Sequence, residues 1–217
     1  CLDSHSWVER IDHVACEHDT DVAAFYQKMG AQIAVIHALN GIDFHRENII
    51  AHGSCPVMID LECLFTGAVS DLLFDLPAES ALMKAFRLTR QSVFSSGVVP
   101  CAHGAGTDVS GLSRQKIYSS SVNTLLLENG FYHFKKVTSE HQPISKHLPI
   151  IGREYRELDA YREAFMSGFD IAYEALVINR QGIINFFRKK APNLKSRVLI
   201  KNTQRYAKFI ALGHHPR

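Results

Sequence analysis

The sequence predicts an α+β fold that is mainly helical, with short β-hairpins. Three observations carry that expectation. Two long stretches repeat apolar residues at intervals of three and four, as one buried face of a helix requires. Two turn dipeptides, Gly53-Ser54 and Asn129-Gly130, are each flanked by short apolar runs. Hydrophobic residues make up 46% of the 217 positions, enough to bury a core within one domain.

The elements follow in order. Residues 19 to 39 carry Val22, Phe25, Tyr26, Met29, Ile33 and Ile36 at helical spacing, with Asp19 or Thr20 as the start and Asn40-Gly41 as the stop. "NIIAH" and "PVMID", parted by Gly53-Ser54, read as a small antiparallel hairpin. Residues 78 to 88 are expected to be helical, and residues 95 to 113, containing "GVVP" and "HGAGTDVSGLS", to be loop-rich. Gly104, Gly106 and Gly111 do not link a predicted strand to a helix, so they read as turns rather than as a phosphate or dinucleotide loop. Residues 122 to 137 form a second expected hairpin, followed by a polar connector to Pro149. Leu158, Tyr161, Phe165, Phe169, Ala172, Tyr173 and Leu176 give a long helix over 154 to 178, weakened slightly by Gly168. A further helix at 183 to 190 stops before Pro192, "RVLI" reads as a strand, and a last helix begins at Thr203. There is no internal repeat and no low-complexity tract.

Composition excludes several classes. A formal net charge of +2 makes no case for a nucleic-acid partner. The charge is unevenly spread: no acidic residue follows Glu174, and residues 180 to 217 hold ten Lys or Arg. Such a basic stretch is a solvated face or a surface for phosphate or an acidic peptide. Five cysteines without a C-x-x-C pair indicate neither a disulfide framework nor a zinc ribbon, and reduced thiols fit a cytoplasmic protein. His13, Cys16 and His18 have no second cluster to complete a metal site. No secretory leader and no apolar run approaching about eighteen residues is present. The chain begins with Cys1 rather than Met, so it is expected to be a piece of something longer.

The chemistry concentrates in "GIDFHRENIIAHGSCPVMIDLE", residues 41 to 62. Asp43 and Asn48 are five residues apart on a loop between a buried helix and a hairpin, and Asp60 follows that hairpin. Protein kinases use this order: one Asp receives the proton of the attacking hydroxyl, an Asn and a second Asp hold magnesium against the phosphates of ATP. A triphosphate needs hard oxygen ligands on a divalent ion, and the hydroxyl must be held in line with phosphorus. The alternative for Asp43 and Asn48 is that they cap turns.

Two departures from ordinary kinases narrow the reading. His45 lies two residues after Asp43, and Asp60 is followed by Leu61-Glu62 rather than Phe-Gly. With these, the stretch closely resembles the dehydratase domain of the class II lanthipeptide synthetases, the LanM enzymes, which carry G-x-D-x-H-x-x-N and then I-D-x-E. The resemblance continues through "GVVP", "DVSGL", the Gly168-Phe169 pair and "RVLIKNTQRY", although Leu125 stands where an Asp is expected. It covers the chain from about residue 20 onward.

The resemblance implies a protein-kinase-like C-lobe, with the N-terminal ATP lobe missing, so that residues 1 to 217 form a single partial domain. It implies ATP- and Mg2+-dependent dehydration of Ser and Thr in a ribosomal precursor peptide, by phosphorylation and then phosphate elimination. Asp43 would activate the hydroxyl, Asn48 and Asp60 would bind magnesium, and His45 and Glu62 would belong to the set supporting both steps. Arg197 and Thr203 match the Arg and Thr linked to elimination. A guanidinium suits that task because the departing phosphate carries charge. His45 is a candidate base for the α-proton, or equally a structural partner of a carboxylate.

No segment supplies the phosphate-gripping lysine, covering loop or strand-rich lobe of kinase catalysis, and no Cys-His zinc set of a cyclase follows residue 203. The expected partners are therefore the precursor peptide and the remainder of a synthetase, and the isolated fragment is expected to be inactive. Two other classes remain open: a kinase-like phosphotransferase acting on a small molecule, and a non-catalytic module that binds peptide through its basic part.

Overall fold

The structure is a computed structural model and describes residues 7–66, 80–100, 108–113, 118–141 and 145–193. Helix α1 (Asp19–Ala38) is the central element. Its entry is fixed by Asp21, whose carboxylate accepts the His18 N–H at 3.0 Å, and Asp19 and Asp21 place negative charge in the first turn, where the helix dipole favours it. Val22, Phe25, Tyr26, Met29, Ile33 and Ile36 are all buried, on the face that their spacing defines. Each of the larger ones contributes roughly 1.5–3 kcal/mol by leaving water.

Helix α3 (Arg162–Ile178) crosses α1 at backbone contact. A Cβ on Gly168 would lie 1.8 Å from the Gln27 carbonyl oxygen, and one on Gly30 would lie 2.0 Å from that of Phe165. Each helix thus contributes one glycine against a carbonyl of the other. Phe165 and Phe169 pack beside this crossing. At the start of α3, Tyr161 stacks on Tyr26 with ring centroids 5.3 Å apart and donates its hydroxyl hydrogen bond to Asp19, while the Tyr26 hydroxyl donates to the Arg156 carbonyl at 2.7 Å. Helix α4 (Arg180–Lys190) follows after Asn179, and its Phe187 meets Phe65 edge-on at 5.0 Å. Helix α2 (Ala81–Arg90) is capped by Ser80, whose hydroxyl accepts the Met83 N–H at 3.2 Å.

Among the described residues, three two-stranded antiparallel pairs complete the architecture. Strands β1 (Ile49–His52) and β2 (Cys55–Met58) pair around Gly53, with Ile49 opposite Met58. Val14 runs parallel to this hairpin, its N–H on the Ala51 carbonyl at 3.0 Å. Strands β3 (Tyr118–Glu128) and β4 (Phe131–His141) pair along their whole length about Asn129-Gly130, extending beyond the 122–137 span that the turn and apolar runs suggest. The exposed aromatic residues Phe131, Tyr132 and Phe134 lie on its second strand.

One expected helix is shorter than its periodicity implies. Glu154 and Tyr155 form strand β6 against β5 (Ile150–Ile151), turning at Gly152 with φ 63°, and a 3-10 turn at Leu158–Tyr161 precedes α3. Pairing of two-residue strands leaves no periodic trace, so the helical pattern overruns it. The expected strand "RVLI" and the helix from Thr203 lie outside the described residues. Among the described residues, no helix is long and apolar enough to cross a membrane.

The packing reverses the usual effect of a helix glycine. Gly168→Ala gains helix propensity of up to about 1 kcal/mol, but its methyl must displace a backbone carbonyl. We expect a net loss of about 2 kcal/mol or more, read as a lower urea midpoint at unchanged m-value. The Tyr161 hydroxyl gives a second expectation. Burial first, and then its bond to the Asp19 carboxylate, push its pKa up to about 12 from an ordinary 10.0. The unfolded chain therefore loses this proton first, and the contribution of Tyr161 is complete below the ordinary value and lost as pH rises through the folded one. Tyr161→Phe should flatten the alkaline fall of the urea midpoint in that window, and an unchanged slope would rule the effect out.

Candidate active site

The loop that leaves α1 is pinned on both sides of Asp43. The Ile42 N–H donates to the Cys63 carbonyl at 3.1 Å, and the Phe44 N–H donates to the Ser96 carbonyl at 2.9 Å. Phe44 itself is fully buried in the core shared with Phe25, Ile49, Val98 and Leu112. Asp43, between these two anchors, has φ 70°, a left-handed conformation that an Asp tolerates better than most residues. Its side chain is exposed.

Asn48 closes the loop. Its side-chain amide donates to the backbone carbonyl of Asp43 at 2.9 Å, and its backbone N–H donates to the His45 carbonyl at 2.9 Å, forming a 3-10 turn over Arg46–Asn48. Its own carbonyl accepts the Ile59 N–H at 2.9 Å, which continues the β1–β2 register by one step. That step sets Asn48 beside the residue before Asp60. The hairpin, by pairing 49 with 58, is thus what brings a residue of the loop to one eleven positions further along the chain.

Asp60 is also left-handed, with φ 60°, and opens the 3-10 turn Leu61–Cys63. Both aspartates act on one thiol. Burial above all, and then the negative charges of Asp43 and Asp60, raise the pKa of Cys63, which is 2% exposed. Both carboxylates therefore lie within electrostatic reach of that thiol. Left-handed non-glycine residues cost energy that the surrounding contacts must hold. Asn40, Asp43, Asp60 and Phe65 all have positive φ, so this region collects most such residues among those described.

His45 points toward Asp43, with Nε2 3.9 Å from the nearer carboxylate oxygen, a separation too long for a hydrogen bond. Its Nδ1 accepts the Glu47 N–H at 3.2 Å, which leaves the neutral ring's proton on Nε2. Glu62 is exposed on the turn that Asp60 opens. The structure thus sets His45 and Asn48 against Asp43 and pairs Asn48 with Ile59, the residue before Asp60; Glu62 follows two residues later. Arg197 and Thr203 lie outside the described residues.

Sequence reasoning did not assign the segments that clamp the loop. Residues 109 to 112 run between the loop and residues 97 to 98. The Arg46 N–H donates to Val109, the Gly111 N–H to Gly97 and the Leu112 N–H to Val98. His45 and Ser110 form an antiparallel bridge. A Cβ on Gly111 would lie 2.5 Å from the Ile49 side chain and 2.8 Å from the Phe44 carbonyl oxygen. "GVVP" and "DVSGL" therefore have a structural role: they are the strands of backbone against which the loop is held. The available signal was Gly111 itself, a glycine within an otherwise apolar "VSGL" run, which marks close backbone approach.

Chemically, the arrangement offers an exposed carboxylate next to an imidazole, with an amide braced on the backbone carbonyl of Asp43. Among the described residues, no group of three or more His, Cys, Asp or Glu side chains is placed to hold a metal ion. Any ion bound through Asn48 and Asp60 would need further oxygens from water or a substrate.

Across residues 1–217 the sequence matches the family described as a domain of unknown function, DUF4135. It is also similar to the lacticin 481/lactococcin biosynthesis protein LcnDR2 of Lactococcus lactis subsp. lactis, with 25% identity over 225 residues, covering 99% of this chain. The chain spans 24% of the length of that relative.

The clamp makes a testable demand. Gly111→Ala, which touches no titratable group, should shift Phe44 and with it Asp43. We expect destabilisation of about 1–3 kcal/mol, with the largest amide chemical-shift changes at residues 43 to 48. Changes confined to residues adjoining 111 would show that the loop is held elsewhere.

Proposed function

The chain belongs to the DUF4135 family, and on that premise we propose that it carries the catalytic half of a lanthipeptide dehydratase. The likeness to a lacticin 481 biosynthesis protein supports a part in lantibiotic biosynthesis. The finer reading is ATP-dependent dehydration of Ser and Thr in a ribosomal precursor peptide. The single observation that carries it is the bracing of Asp43 by Asn48, which itself pairs with Ile59, the residue before Asp60. The order of buried helix, loop, hairpin and aspartate is that of a kinase-like C-lobe, which is the fold we propose. The ATP lobe and a cyclase would belong to the remainder of a longer synthetase.

In the first step the peptide hydroxyl oxygen forms a bond to the γ-phosphorus of ATP, the bond from that phosphorus to the β,γ-bridging oxygen breaks, and ADP departs. Asp43 takes the hydroxyl proton. It suits this task because it is exposed, while its neighbours on both sides are fixed by backbone hydrogen bonds. Asn48 and Asp60 would hold Mg2+, and the fit is that of a hard ion that takes one or two protein oxygens and completes its shell with phosphate and water. That ion would neutralise the triphosphate.

In the second step the α-proton leaves, the Cα=Cβ bond forms and the Cβ–O bond breaks, expelling phosphate with the electron pair. His45 is the candidate base, oriented by the Glu47 N–H on Nδ1 and by Asp43 beside Nε2. For its neutral ring to accept a proton, the tautomer must change or the Asp43 carboxylate must take the Nε2 proton. Glu62 supports the site from its edge. Arg197 would bind the departing phosphate, with Thr203 beside it in the same segment.

The test is a synthetase carrying this chain, incubated with ATP, Mg2+ and a Ser/Thr-rich precursor peptide, with peptide mass followed over time. Loss of water supports the proposal. Stable phosphopeptide would reduce it to kinase chemistry, and an unchanged peptide would favour a small-molecule or binding role. Asp43→Asn keeps the left-handed backbone and should abolish phosphorylation, whereas Arg197→Ala should leave phosphopeptide stranded. Normal dehydration by Arg197→Ala would remove that residue from the mechanism.

A further inference from the structure

A cavity of about 300 Å3 adjoins the candidate loop and plays no part in the chemistry above. Three isoleucines, Ile49, Ile50 and Ile59, form its apolar surface, and its polar wall comes from Arg46, Glu47, Ser145, Lys146 and His147. The wall is fixed rather than loosely draped. The Ala51 N–H donates to the Lys146 carbonyl at 2.7 Å, the Ser145 N–H meets the Tyr155 hydroxyl at 3.3 Å, and Ser145 and His147 are 7% and 2% exposed.

His147 presents a defined tautomer. Its Nε2 lies 3.0 Å from the Ser113 carbonyl oxygen, which only accepts, so Nε2 carries the proton and Nδ1 keeps a lone pair. Burial holds the ring below its usual pKa, the Ser113 bond opposes this, Arg46 and His13 add to the lowering and Asp108 works against it. Two residues able to accept, His147 and Glu47, thus line the cavity together with two cations, Arg46 and Lys146. This mixture suits an anion that also carries a proton to donate.

We propose that the cavity binds inorganic phosphate, with Arg46 and Lys146 on its charged oxygens and its protonated oxygen turned to Glu47 or His147. A guanidinium matches two phosphate oxygens at once, and an ammonium adds a point charge. Inorganic phosphate retains a proton at neutral pH. Sulfate does not, and a phosphate monoester is largely dianionic above about pH 6, so both leave the acceptors facing bare anionic oxygen. Arg46 and Glu47 sit between His45 and Asn48 in one turn, so phosphate in the cavity grips the loop that holds the candidate site. The inference does not rest on the dehydratase reading, since it concerns binding alone.

The 217-residue chain is titrated calorimetrically with inorganic phosphate, and separately with sulfate and with phosphoserine. We expect saturable phosphate binding, with sulfate and phosphoserine weaker by about tenfold or more. Arg46→Gln and Lys146→Met should each weaken phosphate by a similar factor, and Glu47→Gln should bring sulfate toward phosphate. Lys146 is exposed, so its variant decides the matter if Arg46→Gln fails to fold. Absence of saturable binding, equal affinity for sulfate, equal or tighter binding of phosphoserine, or phosphate affinity unchanged in Lys146→Met would each overturn the proposal.

Discussion

The crossing of α1 and α3 sets the position of everything else. At Gly30 and Gly168 the two helices touch backbone to backbone, which no side chain larger than hydrogen permits. That contact fixes the axis of α1, and the candidate loop departs from its C-terminal end. The same helix supplies the core surface, Phe25, Met29, Ile33 and Ile36, that Phe44 and Ile49 join. Phe44 therefore couples helix packing to the position of Asp43, one residue before it. A change in interhelical distance would reach the site through that buried ring.

Around this frame the loop is held by backbone rather than by side chains. Ile42, Phe44 and Arg46 each donate an N–H to a different segment, namely residue 63, residue 96 and residue 109. Three separate stretches of sequence thus converge on five residues. Such bonds are insensitive to the identity of the exposed side chains, so Asp43 and His45 are free to be chosen for chemistry. The left-handed backbone at Asp43 and Asp60 is the cost of presenting two carboxylates from such tightly held turns.

Much of this was legible in the sequence, and the reasons differ by element. The face of α1 declares itself through spacing, because a buried helix in water needs one apolar stripe. The β1–β2 hairpin declares itself through Gly53, and its register, read one step on, pairs Asn48 with the residue before Asp60. What stayed hidden depends on partners far away in the chain. The β5–β6 pair is too short for a pattern, so its residues were absorbed into the following helix. Gly168 looks like a weak point when α3 is considered alone and becomes a contact only once Gln27 is opposite it. The clamp by residues 97 to 98 and 109 to 112 involves backbone atoms, which every residue shares, and so leaves only Gly111 as a clue. Arg197 and Thr203 lie outside the described residues, so their assignment still rests on resemblance.

On the proposed chemistry, the buried thiol of Cys63 gains a meaning. Dehydrated Ser and Thr are electrophilic alkenes, and a thiolate is the nucleophile that adds to them. An enzyme making such alkenes has reason to keep its own sulfur quiet. Burial of Cys63 above all, and then the charge of Asp43 and Asp60, favours the protonated, unreactive form. Because burial is the leading cause, the sulfur keeps its protonated form even where one of the two carboxylates is neutralised, so the protection belongs to the packing rather than to the charges.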